Sequence, residues 1–186
     1  MDLVKKGTAT EIGNLDNFKV YLKWTTDNDF DLSAYWVDKS GKHGLIYFGN
    51  SDASEGKGNE LLNGFPFMQL SGDEGVGDSG GDNEEEMIVA KLDDKIDSIY
   101  IVCWDYPRVE SGQPARFAES DVTVAIKDGA GKQHSVKLDS GDMANVCVVA
   151  QIDNSNVGKP KLINTSKAGT LKGLSNSSQI WNIIQS

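Results

Sequence analysis

The sequence predicts an all-β fold, a β-sandwich of two mainly antiparallel sheets forming a single domain over residues 1–186. Two observations carry this. Apolar side chains recur with period two along many short runs, and those runs are bounded by clusters of Gly, Asn, Asp and Ser, as sandwich strands are. No stretch sustains an amphipathic helical pattern for three turns.

The first strand is Phe18-Lys-Val-Tyr-Leu-Lys-Trp24, where Phe18, Val20, Leu22 and Trp24 share one face. In the second, Phe30, Leu32, Ala34 and Trp36 alternate with Asp29, Asp31, Ser33 and Tyr35. Further strands are expected at 44–48, 87–92, 97–104, 121–127, 133–138, 145–152, 160–164 and 179–184. Asp38-Lys-Ser-Gly41 and Asp128-Gly-Ala-Gly131 read as hairpin connections. A helical turn would fit only at 142–146 or 171–176. Segments 51–64 and 71–86 are long connections, which compact domains rarely carry without a use for them.

Charge is distributed unevenly. The formal net charge is −10, and residues 71–86 alone hold seven carboxylates. No Lys or Arg occurs between Lys57 and Lys91. Nucleic acids and anionic membranes are poor partners for such a chain, because phosphate binding needs basic patches. Cys103 and Cys147 lie inside apolar runs and read as small core residues. With His43 and His134 as the only histidines, zinc donors are scarce. The N-terminal residues lack an apolar secretory core and no run is long enough to span a membrane, so a cytoplasmic location is expected.

The acidic segment interleaves its carboxylates with Gly72, Gly75, Gly77, Gly80 and Gly81. Packed carboxylates repel one another unless a cation sits among them, and a hard cation with many oxygen ligands suits them, calcium best. The competing reading is a solvated acidic loop. Asp27, Asp29 and Asp31 are spaced two apart, so on an extended strand they project from one face while Phe30 and Leu32 enter the core. An EF-hand does not fit, because Leu32 stands where its glycine belongs and the context is strand-like. A phosphate loop does not fit either, for want of a Gly-Lys-Ser/Thr ending.

These residues, in this order, resemble the TerD domain of tellurium-resistance and bacterial general stress proteins. Val4-Lys-Lys-Gly7 and Val20-Tyr-Leu-Lys-Trp24 look like its opening strands. Asp29-Phe-Asp-Leu-Ser-Ala34 resembles its Asp-Leu-Asp-x-Ser-Ala strand, and Ile46-Tyr-Phe-Gly-Asn50 its Phe-Tyr-Asn-Asn segment. Gly72-Asp73 and the glycine-acid run to Glu86, before Ile88-Val-Ala-Lys-Leu92, resemble its Gly-Asp and Gly-x-Gly-Asp-Asp-Glu signature. Ile99-Tyr-Ile-Val-Cys-Trp-Asp105 and Phe117-Ala-Glu-Ser-Asp-Val-Thr-Val124 follow in the family's order. The resemblance implies a sandwich binding one or two Ca2+ ions, with Asp29, Asp31, Asp73, Asp78, Asp82, Glu84 and Glu86 as ligands. Asp82-Asn-Glu-Glu-Glu86 departs from the family pattern: counting back from Leu92 selects Glu86, counting forward from Asp82 selects Glu84. Which of Glu84, Glu85 and Glu86 takes the family's glutamate position stays open, and Asp27, Asn50 and Asp105 are further alternatives, Asp105 equally as a turn cap.

The expected function is that of a non-catalytic, calcium-binding stress-response or tellurite-resistance protein acting through protein partners. No nucleophile–base constellation stands out, and crowded acids on a glycine-rich loop are a poor way to set one acid against one base. The alternatives are a metal-free module that docks a basic partner on its acidic loop, and a small-ligand module of the nucleotide-binding kind.

Overall fold

The computed structural model describes residues 1–13, 16–47, 62–70, 80–117 and 121–186. Two six-stranded sheets face each other. The first has the order β1 (Asp2–Leu3), β11 (Gln133–Lys137), β10 (Thr123–Lys127), β3 (Asp16–Trp24), β7 (Asn83–Lys91) and β6 (Met68–Leu70). The second has the order β2 (Ala9–Glu11), β14 (Lys161–Gly169), β13 (Val146–Asp153), β8 (Ile96–Asp105), β4 (Phe30–Asp38) and β5 (His43–Ile46). Short strands β9 (Ala115–Arg116) and β12 (Met143–Ala144) pair beside them. Among the described residues every pairing is antiparallel except β1 on β11. The predicted sandwich is the observed architecture.

Alternation builds the core as expected. Phe18, Val20, Leu22 and Trp24 of β3 meet Phe30, Leu32, Ala34 and Trp36 of β4 across the interior, with Met87 and Val89 of β7 beside them. The other face of the second sheet is also closed. Tyr35, Val102, Val146 and Val148 pack there under Ile180, Ile183 and Ile184 of α2 (Ser178–Gln185). Trp181 stacks on Tyr35 with ring centroids 5.6 Å apart. Residues 179–184, read from the sequence as a strand, are therefore a helix. The apolar residues at 180, 183 and 184 have helical spacing, and a six-residue window holds too few turns to separate that from alternation.

Both hairpin connections form, by the same device. Asp38 Oδ1 accepts from the N–H groups of Ser40 and Lys42, both at 2.9 Å. Asp128 Oδ1 accepts from Ala130 N–H at 3.0 Å and Lys132 N–H at 2.8 Å. Gly41 and Gly131 take the positive φ that each turn requires (88° and 85°).

The second of these turns covers a buried histidine. His134 turns inward beside Val136, and neither of its ring nitrogens makes a hydrogen bond. Asp128 Oδ2 is 3.9 Å from its Nε2, beyond hydrogen-bond reach. Burial, with help from the N-terminal and Lys132 charges, lowers the His134 pKa below its ordinary value of 6.5, against an opposing pull from Asp128. The unfolded chain thus takes this proton more readily than the folded one. Stability from this residue is complete above pH 6.5 and is lost as pH falls below it. Urea denaturation at pH 7 and pH 5 is expected to show this loss, at most about 1.4 kcal/mol per pH unit for one proton. His134→Leu is expected to flatten the profile over that range; an unchanged slope would assign the dependence to other groups.

Candidate metal site

The turn from β3 to β4 gathers contacts from several distant segments. Trp24, buried at the end of β3, donates its indole N–H to Asn28 O at 3.0 Å. Thr26 Oγ1 donates to Asn28 Oδ1 at 2.6 Å. Asp121 clamps Thr25 with both oxygens, accepting from its N–H and its hydroxyl at 2.8 Å each. The C-terminal end of the acidic segment closes on the same turn: Gly80 N–H donates to Thr25 O at 2.6 Å and Asn83 Nδ2 to Thr26 O at 2.9 Å. The end of the acidic segment, at Gly80 and Asn83, thus lies against the turn that precedes the aspartate-bearing strand.

The carboxylates are placed differently from the expectation. The acidic run does not stay a loop to Glu86, because β7 begins at Asn83. Its alternation turns Asn83 and Glu85 inward with Met87 and Val89, and Glu84 and Glu86 outward. Glu84 pairs with Lys23, directly opposite it on β3, at 3.4 Å, and Glu86, opposite Tyr21, reaches diagonally to Lys19 at 3.0 Å. Glu84 and Glu86 are therefore not brought together with Asp31. Glu85, which the spacing argument passed over, is the inward carboxylate. Its Oε2 accepts from Leu32 N–H at 2.6 Å, reaching across the interior to β4. Counting by twos back from the apolar Val89 and Met87 finds Glu85 and Asn83 in the sequence alone.

Of Asp27, Asp29, Asp31 and Asp82, only Asp31 lies on a strand. It is buried, and by alternation it shares the α2-covered face with Ser33 and Tyr35. Asp29 is half-buried in the turn before β4, with its carbonyl accepting from Tyr106 N–H at 3.1 Å. The predicted row of Asp27, Asp29 and Asp31 on one rigid strand face does not exist, since β4 begins at Phe30 and Asp27 is exposed in the turn. Asp82 is exposed beside Lys23, Trp24 and Asp121, on an open groove of about 550 Å³. Asp73, Asp78 and Asn50 lie outside the described residues.

Asp105 is a helix cap. It precedes α1 (Tyr106–Ser111), and its Oδ1 accepts from Arg108 N–H at 3.4 Å while Oδ2 accepts from Asn28 Nδ2 at 3.3 Å. Burial raises its pKa, and the bonds from Arg108 and Asn28 oppose that. Helix α1 was missed in the sequence, although Asp105, Pro107 and Gly112 are its start and stop signals.

Among the described residues no three His, Cys, Asp or Glu side chains group closely enough to hold a metal ion. What they offer is a partial oxygen set: buried Asp31 and Glu85, half-buried Asp29, exposed Asp82 and the carbonyls of the turn. Such donors suit a hard cation in kind, and a full shell of six to eight oxygens would need the remaining acids of the segment. Also among the described residues, no helix is long and apolar enough to cross a membrane.

No protein-family model and no curated protein sequence matches the chain. Solved structures that share its fold include the following two. A protein of unknown function, SAV2460, superposes with a TM-score of 0.55 at 12% identity, over 83% of this chain and 92% of that one. A homologue of the telluride resistance protein TerD, SCO6318 from Streptomyces coelicolor A3(2), superposes with a TM-score of 0.53 at 15% identity, over 90% of this chain and 95% of that one. By its two six-stranded sheets and this match along most of its length, the chain has a TerD-like fold.

Proposed function

We propose that this chain is a non-catalytic calcium-binding module in which the acidic segment closes on the β3–β4 turn around the ion. One observation carries the reading: Gly80, Asn83 and Glu85 hydrogen-bond to Thr25, Thr26 and Leu32, so the segment is anchored where the aspartates are. Asp29 and Asp31 would be ligands from the turn and strand, Asp82 with Asp73 and Asp78 from the segment, and Glu85 the buried carboxylate behind them. A bound Ca2+ supplies the positive charge that offsets their mutual repulsion. A role in stress or toxic-oxyanion resistance, exercised through protein partners, is the biological part of the proposal. It is supported by the fold shared with the telluride resistance homologue.

The test is the melting temperature of chelator-treated protein titrated with Ca2+ and, separately, Mg2+. Calcium is expected to raise it saturably, by about 2.7 kcal/mol at a hundredfold excess over Kd, or roughly 5–10 °C for a chain of this size. Magnesium is expected to do much less, because it demands a smaller, octahedral shell. Asp31→Asn combined with Asp82→Asn is expected to abolish the rise. An unchanged melting temperature would overturn the calcium reading. It would leave the segment as a metal-free docking surface for a basic partner.

A further inference from the structure

Strands β8 and β13 are neighbours at the centre of the second sheet, and their register sets Cys103 directly opposite Cys147. The flanking pairs, Val102 with Val148 and Trp104 with Val146, turn to the α2 side. Both cysteines therefore point into the inner core, where both are fully buried and both are free thiols. The phase of the ladder follows from its neighbours. Asp105 donates its N–H to Asn145 O on the β13 side, and Leu32, the β4 partner of Cys103, directs its N–H to Glu85. By alternation Cys103 turns its own N–H and C=O to Cys147. Such a hydrogen-bonded pair holds its Cα atoms about 5.5 Å apart, inside the range of roughly 4.4–6.8 Å that a disulfide spans, while its Cβ atoms, about 5–5.5 Å apart, must draw in by roughly 1 Å for the sulfurs to bond. The β13 register shifts between Val148 and Ala150, a bulge that bends the strand close to Cys147.

We propose that Cys103 and Cys147 are a core redox clamp, a dithiol that a low-molecular-weight disulfide converts into a disulfide across β8 and β13. One cysteine sulfur attacks the reagent's S–S bond, expelling a first small thiol and leaving a mixed disulfide. The second cysteine sulfur attacks the protein sulfur of that adduct and expels the second small thiol. The chain gives up two electrons and two protons, which the two small thiols carry away. Both sulfurs are closed to solvent, so the reaction proceeds through local opening of the strand pair and is slow in the resting fold. Burial, then Cys147, then the carboxylates of Glu85, Asp31 and Asp105 hold the Cys103 thiol protonated, which slows it further. The clamp thus stays reduced until opening and oxidant coincide.

The test incubates the calcium-free full chain with hydroxyethyl disulfide in native buffer, so its outcome does not depend on the calcium reading. Expected are the loss of two hydrogens from the intact mass, a Cys103–Cys147 cross-link in the non-reducing peptide map, and a higher melting temperature than the reduced protein. Dithiothreitol is expected to reverse all three. Cys147→Ala is expected to stop at the mixed disulfide on Cys103. An oxidised chain that melts lower than the reduced one would overturn the proposal. So would cross-links only between chains, or thiols that stay unreacted over days, any of which would leave the pair as core filler.

Discussion

Trp24→Ala is expected to cost about 3–5 kcal/mol, the range for emptying a buried aromatic site, and to lower the melting temperature by roughly 6–20 °C. Trp24 is among the largest fully buried side chains, 2% exposed, and meets Phe30 edge-on with centroids 5.7 Å apart. Phe30 in turn stacks on Phe117 at 5.7 Å, so removing the indole opens a void at the head of an aromatic column. The indole N–H also fixes the turn through Asn28 O. Trp24→Phe keeps most of the ring volume but loses that bond, and is expected to cost about 1–2 kcal/mol. Denaturant titration of both variants separates packing from hydrogen bonding. If both variants lost the same amount, the hydrogen bond and not the ring volume would be what holds this corner. Because the turn carries Asp27 and Asp29, the alanine variant is also expected to weaken any calcium-induced rise, whereas a core substitution far from the turn would not.

What the sequence revealed and what it concealed divide along a physical line. Strands β3, β4, β8 and β13 each span several pleats, so they are long enough to read as strands, although burial alternates only along β3 and the other three are covered on both faces. The two Asp-headed hairpin turns were legible because each aspartate Oδ1 accepts from groups within four residues of itself. Family spacing pointed to Glu84 or Glu86, whereas the pleat of β7 selects Glu85. Glu84 and Glu86 are also the two that find lysines on β3, Lys23 directly opposite and Lys19 on the diagonal, which a sequence shows only once register is known. Asp121 could not have been found by pattern at all. Its partner Thr25 is distant in the chain, and an aspartate before a strand reads as a turn residue.

Long-range polar bonding of that kind is most concentrated at Asn145, and Asn145→Leu is expected to cost about 3–5 kcal/mol. The side chain is fully buried. Its Nδ2 faces three carbonyls, Leu171 O at 2.7 Å and Arg108 O and Gln113 O at 3.2 Å each, while its Oδ1 accepts from Leu171 N–H at 2.8 Å. It thereby joins the end of α1, the chain entering β13 and the segment after β14. Leucine matches its size, so the loss measures polar groups stranded without water and not a cavity. Asn145→Asp makes the stronger test. The new carboxylate has no amide donor and presents negative charge to the carbonyls that the amide served, so at pH 7 this variant is expected to be the less stable of the two. Its carboxyl pKa is raised in the folded state, because only the protonated form can donate to one of those carbonyls. Protons then bind the folded chain more readily than the unfolded one. Relative to wild type, the aspartate variant should regain stability as pH falls from 7 towards 5, while the leucine variant should not. Parallel pH profiles for the two variants would mean that Asn145 acts through its volume, and the hydrogen bonds around it would then be a consequence of the packing and not its cause.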